Sequence, residues 1–88
     1  MDWEKIKKEY PKAYNKFNKC FNGEPFETSD IYSFFDEQKI FIGIMRVGDY
    51  FFYSTSEEFS IGGFKSRTKA ETAAFTKSFD LLEQQING

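Results

Sequence analysis

Lys5, Lys8, Lys12, Lys16 and Lys19 recur at steps of three and four residues, a spacing that lines cations along one side of a helix and could hold them against phosphates. The same stripe is what the solvated back of an amphipathic helix looks like, and that reading is preferred here. Other groups capable of chemistry are sparse. Cys20 is the single cysteine and there is no His, which removes the usual proton shuttle, the commonest zinc ligands and any disulfide within the chain. With no neighbour to activate it, Cys20 reads as a small, partly buried side chain. Asp36 and Glu37 are adjacent carboxylates, but adjacent side chains diverge on a helix or a strand, so they make no acid and base pair. Gly62 and Gly63 could cradle a phosphate. The nucleotide-loop pattern is absent, however, and no helix starts directly after them, so a bulge or close backbone approach is expected. No nucleophile elbow or zinc-protease motif occurs either. The expectation is a protein that is not an enzyme and that uses no cofactor and no metal.

The totals bound the architecture. The chain has 88 residues, enough for one domain spanning 1–88 with one modest core. Twelve Phe, five Tyr and one Trp supply bulky side chains for that core. Twelve basic against fourteen acidic residues leave a net charge of −2, which argues against a general electrostatic grip on nucleic acid or anionic membranes without excluding a local patch. The opening MDWEKIKKEY lacks the apolar core of a signal peptide, and no apolar run approaches the ~18 residues of a membrane span. The cytoplasm is the expected compartment.

In order along the chain, Asp2 can cap a helix carrying Trp3, Ile6, Tyr10, Ala13, Tyr14, Phe17 and Phe21 on one side. Pro11 predicts either a kink or two helical pieces with Pro11 in the first turn of the second. Asn22 and Gly23 end the segment, and Glu24 to Ser29 form a connection. Asp30 to Glu37 can be a short helix capped by Ser29 or a strand alternating Ile31, Ser33 and Phe35; the helix is favoured. From Ile40 the period becomes two. Ile40, Ile42 and Ile44 point one way, and Phe41, Met45 and Val47 the other. Gly48 and Asp49 form a two-residue turn that starts with Gly, setting Val47 opposite Tyr50, Met45 opposite Phe52, Arg46 opposite Phe51 and Ile44 opposite Tyr53. A turn around Ser56, Glu57 and Glu58 leads to a third strand, Phe59 to Lys65.

The last element is a long helix. Thr68 stands three residues before Glu71, the spacing of a capping box. Ala70, Ala74, Phe75, Phe79, Leu81, Leu82 and Ile86 then share one face, with Lys69, Thr72, Thr76, Lys77, Asp80, Glu83, Gln84 and Asn87 on the other. Ser66 to Leu82 resembles the second helix of double-stranded RNA-binding domains, with Ser66, Arg67, Ala70, Ala73, Ala74 and Leu82 where that pattern wants them. Two of the family's lysine positions are Thr68 and Glu71 here. The resemblance implies phosphate contacts by Lys65, Arg67, Lys69 and Lys77, weakened by those two changes. The whole chain is also similar to small proteins encoded by gut bacteria and their prophages, a likeness that implies no particular activity.

The expected fold is therefore α+β and two-layered: helix, short helix, three-stranded antiparallel sheet, helix, the αβββα order of a double-stranded RNA-binding domain. Both long helices are expected on the sheet face bearing Ile40, Ile42, Ile44, Phe51 and Tyr53. Phe41, Met45, Val47, Tyr50 and Phe52 would then form an uncovered apolar face, the mark of an association surface. Reversed faces, or a sheet curled so that the Asp30 to Glu37 segment or the amino-terminal helix lies over it, would cover part of it. The leading expectation is a non-enzymatic interaction module whose partner is a protein or a second copy in a homodimer. The alternative is a nucleic-acid-binding domain with weakened phosphate contacts.

Overall fold

A computed structural model of the chain describes residues 1–21, 27–56, 60 and 62–88. It is an α+β arrangement in the order α1 (Trp3–Glu9), α2 (Pro11–Phe21), α3 (Thr28–Glu37), β1 (Gly43–Val47), β2 (Tyr50–Ser54) and α4 (Arg67–Asn87).

Pro11 produces the second of its two expected outcomes. Asp2 caps α1 by accepting from the Lys5 amide at 3.1 Å, Tyr10 leaves helical geometry, and Pro11 opens α2, the position where a missing amide hydrogen costs least. A new helix start also leaves new unpaired amides. One of them, on Ala13, donates to Glu83 Oε1 of α4 at 2.8 Å, and Lys12 Nζ donates to Asn87 Oδ1 at 2.6 Å. The break thus fastens α2 to α4. Ile6, Ala13 and Phe17 are buried as the spacing predicts, whereas Cys20 is exposed rather than partly buried. It falls on the outer side of the last turn of α2. The Asn22 and Gly23 helix end lies outside the described residues.

The 30–37 segment is a helix, longer than expected. It starts at Thr28, with Glu27 as the cap and the Glu27 amide donating to Asp30 Oδ2 at 2.7 Å, so Ser29 lies inside the first turn. Asp30 is the better acceptor because its charge also suits the helix N-terminus. The helix closes with Lys39 in the left-handed region (φ 65°) and the Ile40 amide donating to the Phe35 carbonyl at 2.9 Å. That turn drops Ile40 into the core.

The hairpin has the expected register: Val47 opposite Tyr50, Arg46 opposite Phe51, Met45 opposite Phe52 and Ile44 opposite Tyr53. Gly48, at φ 62°, supplies the left-handed first turn position. Among the described residues no third strand forms, and the sheet has two strands. Phe64 makes a single bridge to Phe51, with both amide-to-carbonyl bonds at 2.8 Å. Ser60 donates its amide to the Tyr53 carbonyl at 2.8 Å and accepts the Tyr53 amide on its side-chain oxygen at 3.1 Å. Residues 57–59 and 61 lie outside the described residues, and with them most of the expected second turn. The glycines explain why regular pairing is not kept. Gly63 lies so close to the hairpin that a Cβ there would stand 2.9 Å from Tyr50 Cβ, a close approach of the kind expected, and glycine adds little strand preference.

α4 is capped by Ser66, not Thr68. The Ser66 hydroxyl accepts from the Lys69 amide at 3.1 Å, and Glu71 turns away to accept from the Tyr32 hydroxyl. Ala70, Ala74, Phe75, Phe79, Leu81 and Leu82 are buried, as is Ser78, whose hydroxyl donates to the Ala74 carbonyl at 2.8 Å. Ile86, in the last turn, is exposed rather than buried. The layering also differs from expectation. α4 packs against both strands, while α2 packs chiefly on α4 and α1 on α2. The core therefore lies among the helices, joined by Ile40 and, in part, Ile42.

Replacing Ser66 by Ala removes the cap and should lower unfolding free energy by about 1 kcal/mol, within the ~0.5–2 range of such caps. Thr68→Ala should change it by less than about 0.5 kcal/mol. Urea denaturation of both variants measures the contrast, and equal losses would contradict the cap assignment.

Candidate interaction surface on the hairpin

Strand alternation divides the hairpin into two faces. Ile44, Arg46, Phe51 and Tyr53 share the inner face, where Ile44, Phe51 and Tyr53 are half-buried. The Arg46 guanidinium lies 6.0 Å from the Phe51 ring centre, and its Nε donates to the Gly48 carbonyl at 3.1 Å. Met45, Val47, Tyr50 and Phe52 share the outer face. Phe41 has the same parity and is held where it enters the strand by Ser56, whose hydroxyl accepts the Phe41 amide at 2.7 Å and donates to the Lys39 carbonyl at 3.1 Å.

Phe41 is 57% exposed, Val47 56%, Tyr50 48% and Met45 47%. Phe52 is half-buried, because Gly63 approaches the end of its ring. One small hairpin thus presents four large apolar side chains to solvent, with Gly43 a gap between Phe41 and Met45 on the same side.

The basic residues do not form one patch. Lys65, Arg67 and Lys69 are exposed around the start of α4, where the helix dipole adds positive potential and no acidic residue occupies the first turn. Lys77 lies about 12 Å further along the axis at the usual rise per residue and pairs with Asp80 at 3.6 Å. On α1 and α2, Lys5, Lys8, Lys12, Lys16 and Lys19 are exposed.

A polar contact with no local signature joins α3 to α4. Tyr32 donates its hydroxyl to Glu71 Oε2 at 2.8 Å, and its ring meets Phe75 edge-on at 5.2 Å. Nothing in the spacing of Tyr32 and Glu71 announces the contact. Burial pushes the Tyr32 phenol well above its ordinary value of 10.0, the hydrogen bond to Glu71 and the carboxylate charge push it the same way, and Arg67 opposes them. The folded chain then holds a proton that the unfolded chain releases, so stability falls as pH climbs above about 10. In a spectrophotometric titration of the folded protein, Tyr32 should be the last tyrosine to ionise, and Tyr32→Phe should delete that last step.

Two open clefts flank α3. One, of about 250 Å³, is lined by Trp3, Ile31, Glu71 and Phe75 among others; the second, of about 360 Å³, by Cys20, Phe21, Asp30, Ser33, Phe34 and Glu37. Among the described residues no group of three or more His, Cys, Asp and Glu could hold a metal ion, and no helix is long and apolar enough to cross a membrane. Comparison with protein-family models, with curated proteins and with solved structures finds no match to the chain.

Proposed function

We propose that the chain is a non-enzymatic interaction module that associates through the outer face of its hairpin, with a second copy of itself as the partner. The observation that carries this reading is the exposure of Phe41, Met45, Val47 and Tyr50, each about half or more open to solvent, on one side of a two-stranded sheet. Contiguous apolar surface of that kind marks association sites, and Tyr, Phe and Met are side chains that interfaces favour. A two-fold axis lets the same patch serve both partners. None of the four side chains belongs to the helical core, so the surface can be altered without unfolding the protein.

Phe41→Lys combined with Met45→Lys should leave helix content and thermal midpoint nearly unchanged while converting a dimer to a monomer in sedimentation equilibrium. A wild-type chain that sediments as a strict monomer at the highest concentration reached would remove the self-association reading.

A second reading is supported by the exposed Lys65, Arg67 and Lys69 at the start of α4, where a helix N-terminus and side-chain cations could both face phosphates. In a gel shift with duplex RNA, binding of this kind should weaken steeply with added salt and weaken further in Lys65→Glu with Lys69→Glu. Affinity indifferent to salt would contradict it.

A further inference from the structure

The hydrogen bonding of β2 shows which way the backbone of β1 points. Phe51 exchanges both its bonds with Phe64, and the Tyr53 carbonyl and amide both go to Ser60. In an antiparallel pair successive residues alternate between the two edges of their strand. Tyr50, Phe52 and Ser54 therefore face β1, and their partners Val47, Met45 and Gly43 face back. The residues between them, Ile44 and Arg46, turn their amides and carbonyls to the opposite edge. Flanking contacts agree: the Phe41 amide reaches Ser56 on the β2 side, and the Ile40 amide reaches the Phe35 carbonyl on the far side. Ile42 then also faces outward.

This edge is open. The outer edge of β2 is occupied by Phe64 and Ser60, whereas among the described residues none bonds to the backbone of Ile42, Ile44 or Arg46. Natural edge strands are usually guarded by Pro, by Lys or by an inward charge. No Pro or Lys occurs between Phe41 and Val47, and the one charge there, Arg46, although on the inner face, is exposed near the turn and drawn over Phe51 and back to Gly48 rather than into the core.

We propose that this edge of β1 pairs antiparallel with the same edge of a second copy, with the two-fold axis at Ile44, so that two hairpins make one four-stranded sheet. The proposal keeps the second copy of the association reading above as the partner, but joins the two copies by the edge of β1 rather than by its outer face. The register follows from three constraints. Outward residues must meet outward residues, which admits only axes that keep the parity of Ile42, Ile44 and Arg46. An axis at Ile44 sets Ile44 against Ile44 and Ile42 against Arg46, so that every outward residue finds a partner; axes at Gly43 or Met45 leave one unpaired. An axis at Arg46 would set like charges face to face, which is unfavourable. With the axis at Ile44 the two arginines stand about 13 Å apart along the strands at ~3.3 Å per residue, beyond the ~8 Å screening length at physiological salt. The same register brings Phe41 of one copy beside Val47 of the other on the outer face, pairing its two most exposed side chains. The end of α3, tied to Ile40, meets only the turn at Gly48.

Amide hydrogen exchange across a dilution series tests this directly. At a concentration where nine-tenths of the chains are dimeric, the Ile44 and Arg46 amides should exchange about tenfold more slowly than in dilute monomer, while the Met45 amide, held by β2 in either state, changes little. Arg46→Pro deletes an outward amide that the hairpin ladder does not use and should weaken dimerisation at least about tenfold, whereas Arg46→Ala keeps that amide and should dimerise. If Arg46→Pro fails to fold, exchange in the wild type still decides. A dimer whose Ile44 and Arg46 amides exchange equally fast at every concentration overturns edge pairing and leaves face-to-face association standing. A chain that never dimerises overturns both.

Discussion

The Phe79 ring is where this protein is held together. It meets Trp3 of α1 at 5.9 Å, Phe17 of α2 at 5.5 Å and Phe35 of α3 at 4.9 Å, each nearly edge to face. One side chain of α4 thus touches every other helix. Such contacts contribute about 0.5–1.5 kcal/mol each beyond burial, and removing a buried Phe costs about 3–5 kcal/mol. Domains are stable by only about 5–15 kcal/mol. Phe17 spreads the contact further, to Phe21 at 4.8 Å and Phe34 at 5.1 Å. The fold depends on this aromatic junction more than on its sheet.

That dependence explains the geometry at Pro11. A continuous helix from Trp3 to Phe21 would span about 28 Å at the usual rise and could not bring Trp3 and Phe17 against the same ring of α4. Breaking it lets Trp3 stack on Phe17 at 5.4 Å while both reach Phe79. Glu83 then satisfies an amide the break exposes. Proline, carboxylate and ring cooperate across elements far apart in the chain.

Features governed by neighbours in sequence were the legible ones. Periodicity located the buried side of α2 and α4, and the Gly48 and Asp49 turn set the hairpin register because a two-residue loop allows only one. The division of side chains between hairpin faces followed from that register. Ser66 and Thr68 are both suitable cap residues, but only Thr68 has the capping-box glutamate three residues on, and the tertiary bond from Tyr32 to Glu71 takes that glutamate away. The absence of a third strand among the described residues has a similar reason. Its aromatic and apolar residues suggest pairing, but Gly63 is needed for close approach to Tyr50. The covering of Phe52 follows from that approach, which no residue-by-residue pattern encodes. Whether the helices cover the sheet or one another depends on packing, and both arrangements bury the same residues.

The hairpin hangs from α4 and lends little to the aromatic junction. Its outward positions are thereby released from the bulk constraints that govern Phe35 or Phe79. Over generations such a ledge can be rewritten, one side chain at a time, while the scaffold beneath keeps its shape, so a change to those outward side chains need not first pass through a loss of folding.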